Sequence, residues 1–172
     1  MASWIEPLGA ALAPAPEFHG CALRHADRDD EEFLFALHRA AMRAYVEATW
    51  GWDEHWQRAH FARAYKPGRH AVVVRTGPVP ADIGRISLTR HWRRIFLRDV
   101  ELIAVERNRG LGSAMIRAVL ALAGKEGREV ELLVLKCNPA QQLYARLGFE
   151  ILADDGERLT MRAESRPADG GL

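Results

Sequence analysis

The sequence predicts an α+β fold: a central, mostly antiparallel mixed sheet flanked by about four helices. Three observations predict it. Apolar, β-branched segments follow one another with short turns between them, helix-period segments lie on either side, and one strand–helix–strand passage is of the kind that sets two strands parallel. At 172 residues, with 48% hydrophobic and 27% charged residues, the chain fits one soluble domain with a sizeable core.

In chain order, residues 1–20 read as a pliable N-terminal extension, because Pro7 and Gly9 interrupt the one apolar run. No Lys or Arg precedes that run and Glu6 stands in front of it, so it lacks the pattern of a secretory signal. The folded domain is expected over residues 21–163. Cys21 to His25 reads as a short strand. Asp27 or Asp29 can then cap a helix whose apolar residues Phe33, Leu34, Leu37, Ala41, Ala44, Tyr45 and Ala48 recur at helical spacing. Gly51 breaks it, Asp53 can cap a second helix towards Tyr65, and Pro67–Gly68 turns the chain. The segments 70–76, 83–90 and 95–103 form the expected meander. A helix from Gly112 to about Gly124 and a buried strand from Val130 to Leu135 follow. Pro139 opens a fourth helix that Gly148 ends. Segments 149–153 and 159–163 flank the hairpin turn Asp154–Asp155–Gly156. Residues 164–172 read as a frayed tail.

Composition excludes several classes of function. Lys and Arg (24) nearly balance Asp and Glu (23), so there is no broad field to attract nucleic acid or an anionic membrane. No apolar stretch approaches the roughly 20 residues that cross a bilayer. Cys21 and Cys137 match no metal or redox spacing, which predicts reduced thiols, a cytoplasmic setting and no metal; Cys137 reads as a small buried filler. The run His91–Trp92–Arg93–Arg94 reads as a solvated turn.

The first chemically informative stretch is Arg107–Asn108–Arg109–Gly110–Leu111–Gly112–Ser113, between a predicted strand and a predicted helix. The first N–H groups of a helix have no intrahelical acceptor, and the aligned peptide dipoles leave about half a positive charge there. Such an end binds phosphate. Glycines at 110 and 112 let a diphosphate approach the backbone, and Arg107 and Arg109 can neutralise it. A dinucleotide fingerprint fails because Met115 stands where its third small residue belongs, and no Gly-Lys-Ser/Thr loop is present.

The second stretch is Asn138–Pro139–Ala140–Gln141–Gln142–Leu143–Tyr144–Ala145–Arg146–Leu147–Gly148–Phe149. Arg-x-x-Gly-x-Gly followed by Asn-Pro-Ala-x-x-Leu-Tyr-x-x-Leu-Gly-Phe resembles the paired core motifs of the Gcn5-related N-acetyltransferase (GNAT) superfamily. The block from Tyr45 to Gln57 is similar to one in bacterial members, and the likeness spans roughly residues 23–161. The resemblance implies an acyltransferase that takes acetyl from acetyl-coenzyme A to an amine. It implies that Arg107 to Gly112, with Ser113, hold the coenzyme A diphosphate, and that Val100, Glu101 and Leu102 pair by backbone with the pantetheine arm at an irregular strand end. It further implies that Asn138 bonds the pantetheine chain and that Tyr144 lies near the thioester sulfur. Ala104 departs from a proline common in the family.

In that role Tyr144 would give a proton to the departing thiolate, and a backbone N–H near Leu102 would stabilise the charge on the thioester oxygen. The base stays open. Relatives that place a glutamate five residues before the asparagine are matched here by Leu133; Glu101, Glu47, Asp53 and His55 are the remaining candidates. Trp50 and Trp52 are candidates for touching the acceptor, a small-molecule or peptide amine. A non-catalytic acyl-coenzyme A sensor is the competing reading. The oligomeric state is open, a homodimer included.

Overall fold

The computed structural model describes residues 3–164. Its seven strands are β1 (Cys21–His25), β2 (His70–Arg75), β3 (Ala81–Arg90), β4 (Arg94–Leu102), β5 (Glu129–Leu135), β6 (Glu150–Asp154) and β7 (Arg158–Ala163). They form one sheet in the order β1-β2-β3-β4-β5-β7-β6. All neighbours are antiparallel except β4 and β5, so the expected meander and the single parallel pair are both present.

Five helices cover the sheet, one more than expected. The addition is α1 (Ile5–Leu12), which replaces the pliable extension anticipated for residues 1–20. Trp4, Ile5, Leu8 and Leu12 recur at helical spacing, and all four are buried in the main core. Pro7 falls within the first turn, where backbone N–H groups have no intrahelical acceptor, so it costs the helix little. Burial of Ile5, Leu8 and Leu12 contributes roughly 1.5–3 kcal/mol each, which outweighs the mid-helix Gly9 at about 1 kcal/mol. The remaining helices are α2 (Glu31–Trp50), α3 (Glu54–Ala64), α4 (Leu111–Lys125) and α5 (Ala140–Arg146). Asp53 caps α3 by accepting from Trp56 N–H at 2.8 Å. Asp30, rather than Asp27 or Asp29, stands at the start of α2, and its carboxylate pairs with Arg24 instead of capping. Of the anticipated tail, residues 165–172 lie outside the described residues.

The core is two-sided. On one face α1 and α4 cover Val73, Ile86, Leu88, Ile95, Leu97 and Leu102. On the other, α2 and α3 cover Val72 with Leu34, Leu37, Phe61 and Tyr65.

Two irregularities position the site. Between Ser87 and Leu88 the β3–β4 register slips, from Ser87 opposite Asp99 to Leu88 opposite Leu97, so Arg98 is the extra residue of a bulge. The β4–β5 pairing ends at the same place, running only from Arg94–Glu129 to Leu97–Leu132. From Arg98 onward the two strands part. The second irregularity is a close approach of β3 to the end of β4. A Cβ on Gly84 would stand 2.5 Å from Glu101 O and 2.6 Å from Leu102 Cδ2, distances that only glycine permits. Gly84→Ala is therefore expected to lower unfolding stability by about 1–3 kcal/mol by displacing β4. Urea denaturation checks this.

Candidate active site

Where β4 and β5 separate, a cleft of about 650 Å³ opens between the end of β4, the start of α4 and α5. Ile103 N–H donates to Ile83 O on β3 at 2.9 Å. By strand alternation Val100 and Leu102 therefore turn their amide groups to the opposite edge, into the gap. Arg107 Nε donates to Leu102 O at 2.8 Å, which leaves the Leu102 N–H and both amide groups of Val100 for a ligand. A bound pantetheine arm would replace the strand that β5 does not supply.

At the start of α4 the first intrahelical bond runs from Ala114 N–H to Gly110 O at 3.0 Å. The N–H groups of Leu111, Gly112 and Ser113 thus precede any helical acceptor. Asn108 (φ 59°) and Gly110 (φ 85°) both adopt the left-handed conformation, and this curls the loop into an anion-binding concavity. Gly112 lines the cleft, and a Cβ there would meet no atom within 4 Å; that empty room is what a diphosphate needs. The residues fit acetyl-coenzyme A, whose thioester would supply an activated acetyl carbonyl.

Most residues anticipated for the cofactor line this cleft: Val100, Glu101, Leu102, Arg107, Asn108, Gly110, Gly112, Ser113, Asn138 and Tyr144. One assignment changes, and two are specified further. Arg109 is exposed, pairs with Glu106 at 3.3 Å and does not line the cleft. The Leu111 side chain is buried in the core, so only its backbone can serve. Glu101 lines the cleft, but its carboxylate is buried on the α2 side, bonded to His38 Nδ1 and Arg85 Nε, each at 2.8 Å. Arg146 and Gln142 on α5, and Met42 and Tyr45 on α2, line the cleft unanticipated. Of these, Tyr45 carried the spacing of the buried stripe, and nothing in the sequence marked the direction of the other three.

Tyr144 packs edge-on against Phe149, with ring centroids 5.7 Å apart. Burial, reinforced by the negative charges of Asp99 and Glu101, pushes its phenol up to about 12. Asn138 accepts Ala140 N–H at 2.9 Å, which fixes the turn into α5 and orients its amide.

Behind Tyr144 a second cleft of about 220 Å³ continues from the first and shares Val100, Glu101, Asn138 and Tyr144 with it. Trp50, Leu133, Arg98, Asp99 and Arg158 also line it. Trp50 Nε1 donates to Glu157 at 2.6 Å, tying the end of α2 to the β6–β7 turn. Trp52 is not brought here; it donates to Glu54 at 2.8 Å. Among the former base candidates, Asp53 caps α3 and Glu47 pairs with Arg43; neither they nor His55 line these clefts. Cys137 is exposed rather than buried, with Sγ 3.5 Å from Thr49 Oγ1, and both cysteines are free.

A carboxylate that sequence reasoning passed over is central. The bulge at Arg98 sets Arg98 and Asp99 side by side at this second cleft. Arg85, 2% exposed, bonds Glu101 at 2.8 Å and Asp99 at 3.2 Å. The two carboxylates divide its charge unequally. Glu101, with Arg85 and His38 offsetting its burial, is held down to about 2, whereas burial pushes Asp99 above the ordinary aspartate value. His38, Asp99 and Glu101 each offer an atom within 4.8 Å of the others, a spacing that suits a metal, but the guanidinium of Arg85 takes the cation's place between the carboxylates.

A strand-parted sheet with an anion-binding helix start beside it defines a transferase that uses an acyl-carrier nucleotide. The chain belongs to the acetyltransferase (GNAT) family, whose profile matches residues 25–149. Its structure is similar to PaiA N-acetyltransferase from Thermoplasma acidophilum in complex with coenzyme A, at TM-score 0.66 and 16% identity over 84% of this chain and 98% of that one. It is also similar to Ard1 from Thermoplasma volcanium (0.62; 18%; 86% and 99%). A third likeness is to the ribosomal-protein-S18-alanine N-acetyltransferase from Escherichia coli (0.61; 17%; 88% and 98%). No curated protein sequence matches significantly. Among the described residues no helix is long and apolar enough to cross a membrane.

Gly112→Asp is expected to keep the fold, since an acid at a helix start is favourable, while raising the acetyl-coenzyme A Kd at least 100-fold through bulk and like charge. Calorimetric titration beside a thermal melt checks this. Gly110 is a poorer probe, because its left-handed backbone and the nearby Glu17 Cγ, 3.0 Å from where a Cβ would stand, tie it to folding.

Proposed function

We propose that this acetyltransferase acts by direct attack of an amine on acetyl-coenzyme A, with Asp99 as general base and Tyr144 as general acid. The observation that carries the assignment is that Asp99 and Tyr144 line one continuous cleft while the gap-facing amide of Leu102 lines its neighbouring wall. Asp99 takes a proton from the acceptor's ammonium group. Its raised pKa brings it closer to that task than an ordinary aspartate, while the Arg85 guanidinium 3.2 Å away favours the carboxylate form. The amine nitrogen then bonds the acetyl carbon as the C–S bond breaks. Leu102 N–H stabilises the charge that develops on the thioester oxygen, and Tyr144 protonates the departing sulfur. Of the two protons the ammonium sheds, one ends on the thiol and one in solvent.

Val100, Asn138 and the N-terminal residues of α4 orient the cofactor. Trp50 walls the acceptor side. The competing sensor reading needs the same cofactor site but no base.

Asp99→Asn is expected to lower kcat/KM by about 10²–10⁴-fold with acetyl-coenzyme A affinity unchanged. The sign of the pH effect follows from the raised pKa. The active carboxylate form exists only above it, so the acid limb of the rate profile lies above the usual aspartate range and disappears in Asp99→Asn. Tyr144→Phe is expected to lower kcat by about 10²-fold. Coenzyme A release assayed across pH checks both variants; unchanged turnover in either removes that residue from its role.

A further inference from the structure

On the α3 side of β4, behind the acceptor cleft, lies a separate cavity of about 140 Å³. It shares Arg98 and Asp99 with the acceptor cleft, so the bulge residues stand at the junction of the two. Phe61 of α3 and Tyr65 just beyond its end give it an aromatic wall, and Arg69 and His70 also line it.

Its charge is not balanced from within. Arg85 is answered by Asp99 and Glu101, but among the described residues neither Arg69 nor Arg98 has a carboxylate within salt-bridge distance. His70 is 6% exposed, and its Nδ1 has no hydrogen-bond partner. An unpartnered polar atom at such depth is destabilising unless something in the cavity partners it. Burial, with Arg85 and Arg98 adding positive charge, holds His70 down to about 4, so its ring is neutral at pH 7 and can donate one hydrogen bond and accept another. Two free guanidinium groups and a neutral imidazole form a set that receives an anion and repels a cation.

We infer that this cavity is the anchoring half of the acceptor site, and that the acceptor is an amine carrying a carboxylate, its ammonium group at Asp99 and its acid group between Arg69, Arg98 and His70. The inference rests on the acetyl-transfer reading for where the amine must sit. The bulge then has a second consequence: one backbone slip delivers a carboxylate for the amine and a guanidinium for the acid as adjacent residues. Phe61 and Tyr65 cover the carbon chain between the two charged ends. The chemical class is that of amino acids.

Glycine, β-alanine, 4-aminobutyrate and L-phenylalanine, each beside its carboxamide, test this when rates are compared per neutral amine, because acid and amide then differ chiefly in the charge of the acid group. The expected result is that at least one acid is acetylated with kcat/KM at least 10-fold above its amide, and that Arg69→Gln and Arg98→Gln each collapse that ratio towards one, with Arg69→Lys restoring part of it. Thermal shift with the same compounds in the presence of coenzyme A gives a readout that does not need turnover. Acids that stabilise the protein in an Arg69-dependent way without being acetylated would uphold the anion site and overturn the transfer reading. Amides acetylated as well as acids, or ratios untouched in both glutamine variants, would overturn the anion site and leave transfer standing. Neither turnover nor stabilisation by any acid would also overturn it.

Discussion

The parting of β4 from β5 at Arg98 is the constraint on which the rest of the molecule depends. Two parallel strands in register would satisfy each other's amide groups and leave nothing for a ligand. Here the pairing stops at Leu97–Leu132, and the bulge stops it. The cost is a set of backbone groups without strand partners; the return is a slot whose hydrogen-bonding pattern matches an extended, amide-bearing chain. Gly84 fits the same account. By letting β3 approach the end of β4 as closely as a residue without a Cβ can, it holds β4 against one neighbour while it leaves the other.

Charge is organised around the same strand. Arg85 and Glu101 stand directly opposite on β3 and β4, and His38 reaches from α2 to complete the pair. A fully buried guanidinium is costly unless each face of it is answered. Answering it with two carboxylates rather than one leaves the second, Asp99, with less than its full share. On the proposed mechanism that asymmetry gives the two acids different tasks: Glu101 is locked in its ionised form, and Asp99 keeps a proton affinity above that of a solvated aspartate.

Much of this was legible in the sequence. The meander, the parallel pair and the helix start at Gly110–Gly112 follow from apolar periodicity and from what glycine allows. What was missed has physical reasons. Pro7 and Gly9 were read as breakers, although a proline in a first turn is tolerated and Trp4, Ile5, Leu8 and Leu12 already carried helical spacing. Arg109 was assigned to the diphosphate because residue type does not reveal side-chain direction in a loop containing two left-handed residues. Trp50 and Trp52, two residues apart at a helix end, point to different environments for the same reason. Asp99 is absent from the sequence candidates because the count back from Arg107 reaches only to Val100, and no motif marks the residue before it. The signal was present: Arg98 and Asp99 are consecutive charged residues between Leu97 and Val100, a break in the alternating pattern that marks a bulge.

Amide hydrogen exchange on Val100, Glu101 and Leu102, with and without acetyl-coenzyme A, bears most directly on the parted strand. If the gap is where the pantetheine chain binds, the cofactor slows exchange at Val100 or Leu102 at least 10-fold and leaves Glu101, already facing β3, nearly unchanged. Val100 and Leu102 amides that are fully protected in the free protein, or that exchange at the same rate when saturated with cofactor, would contradict it.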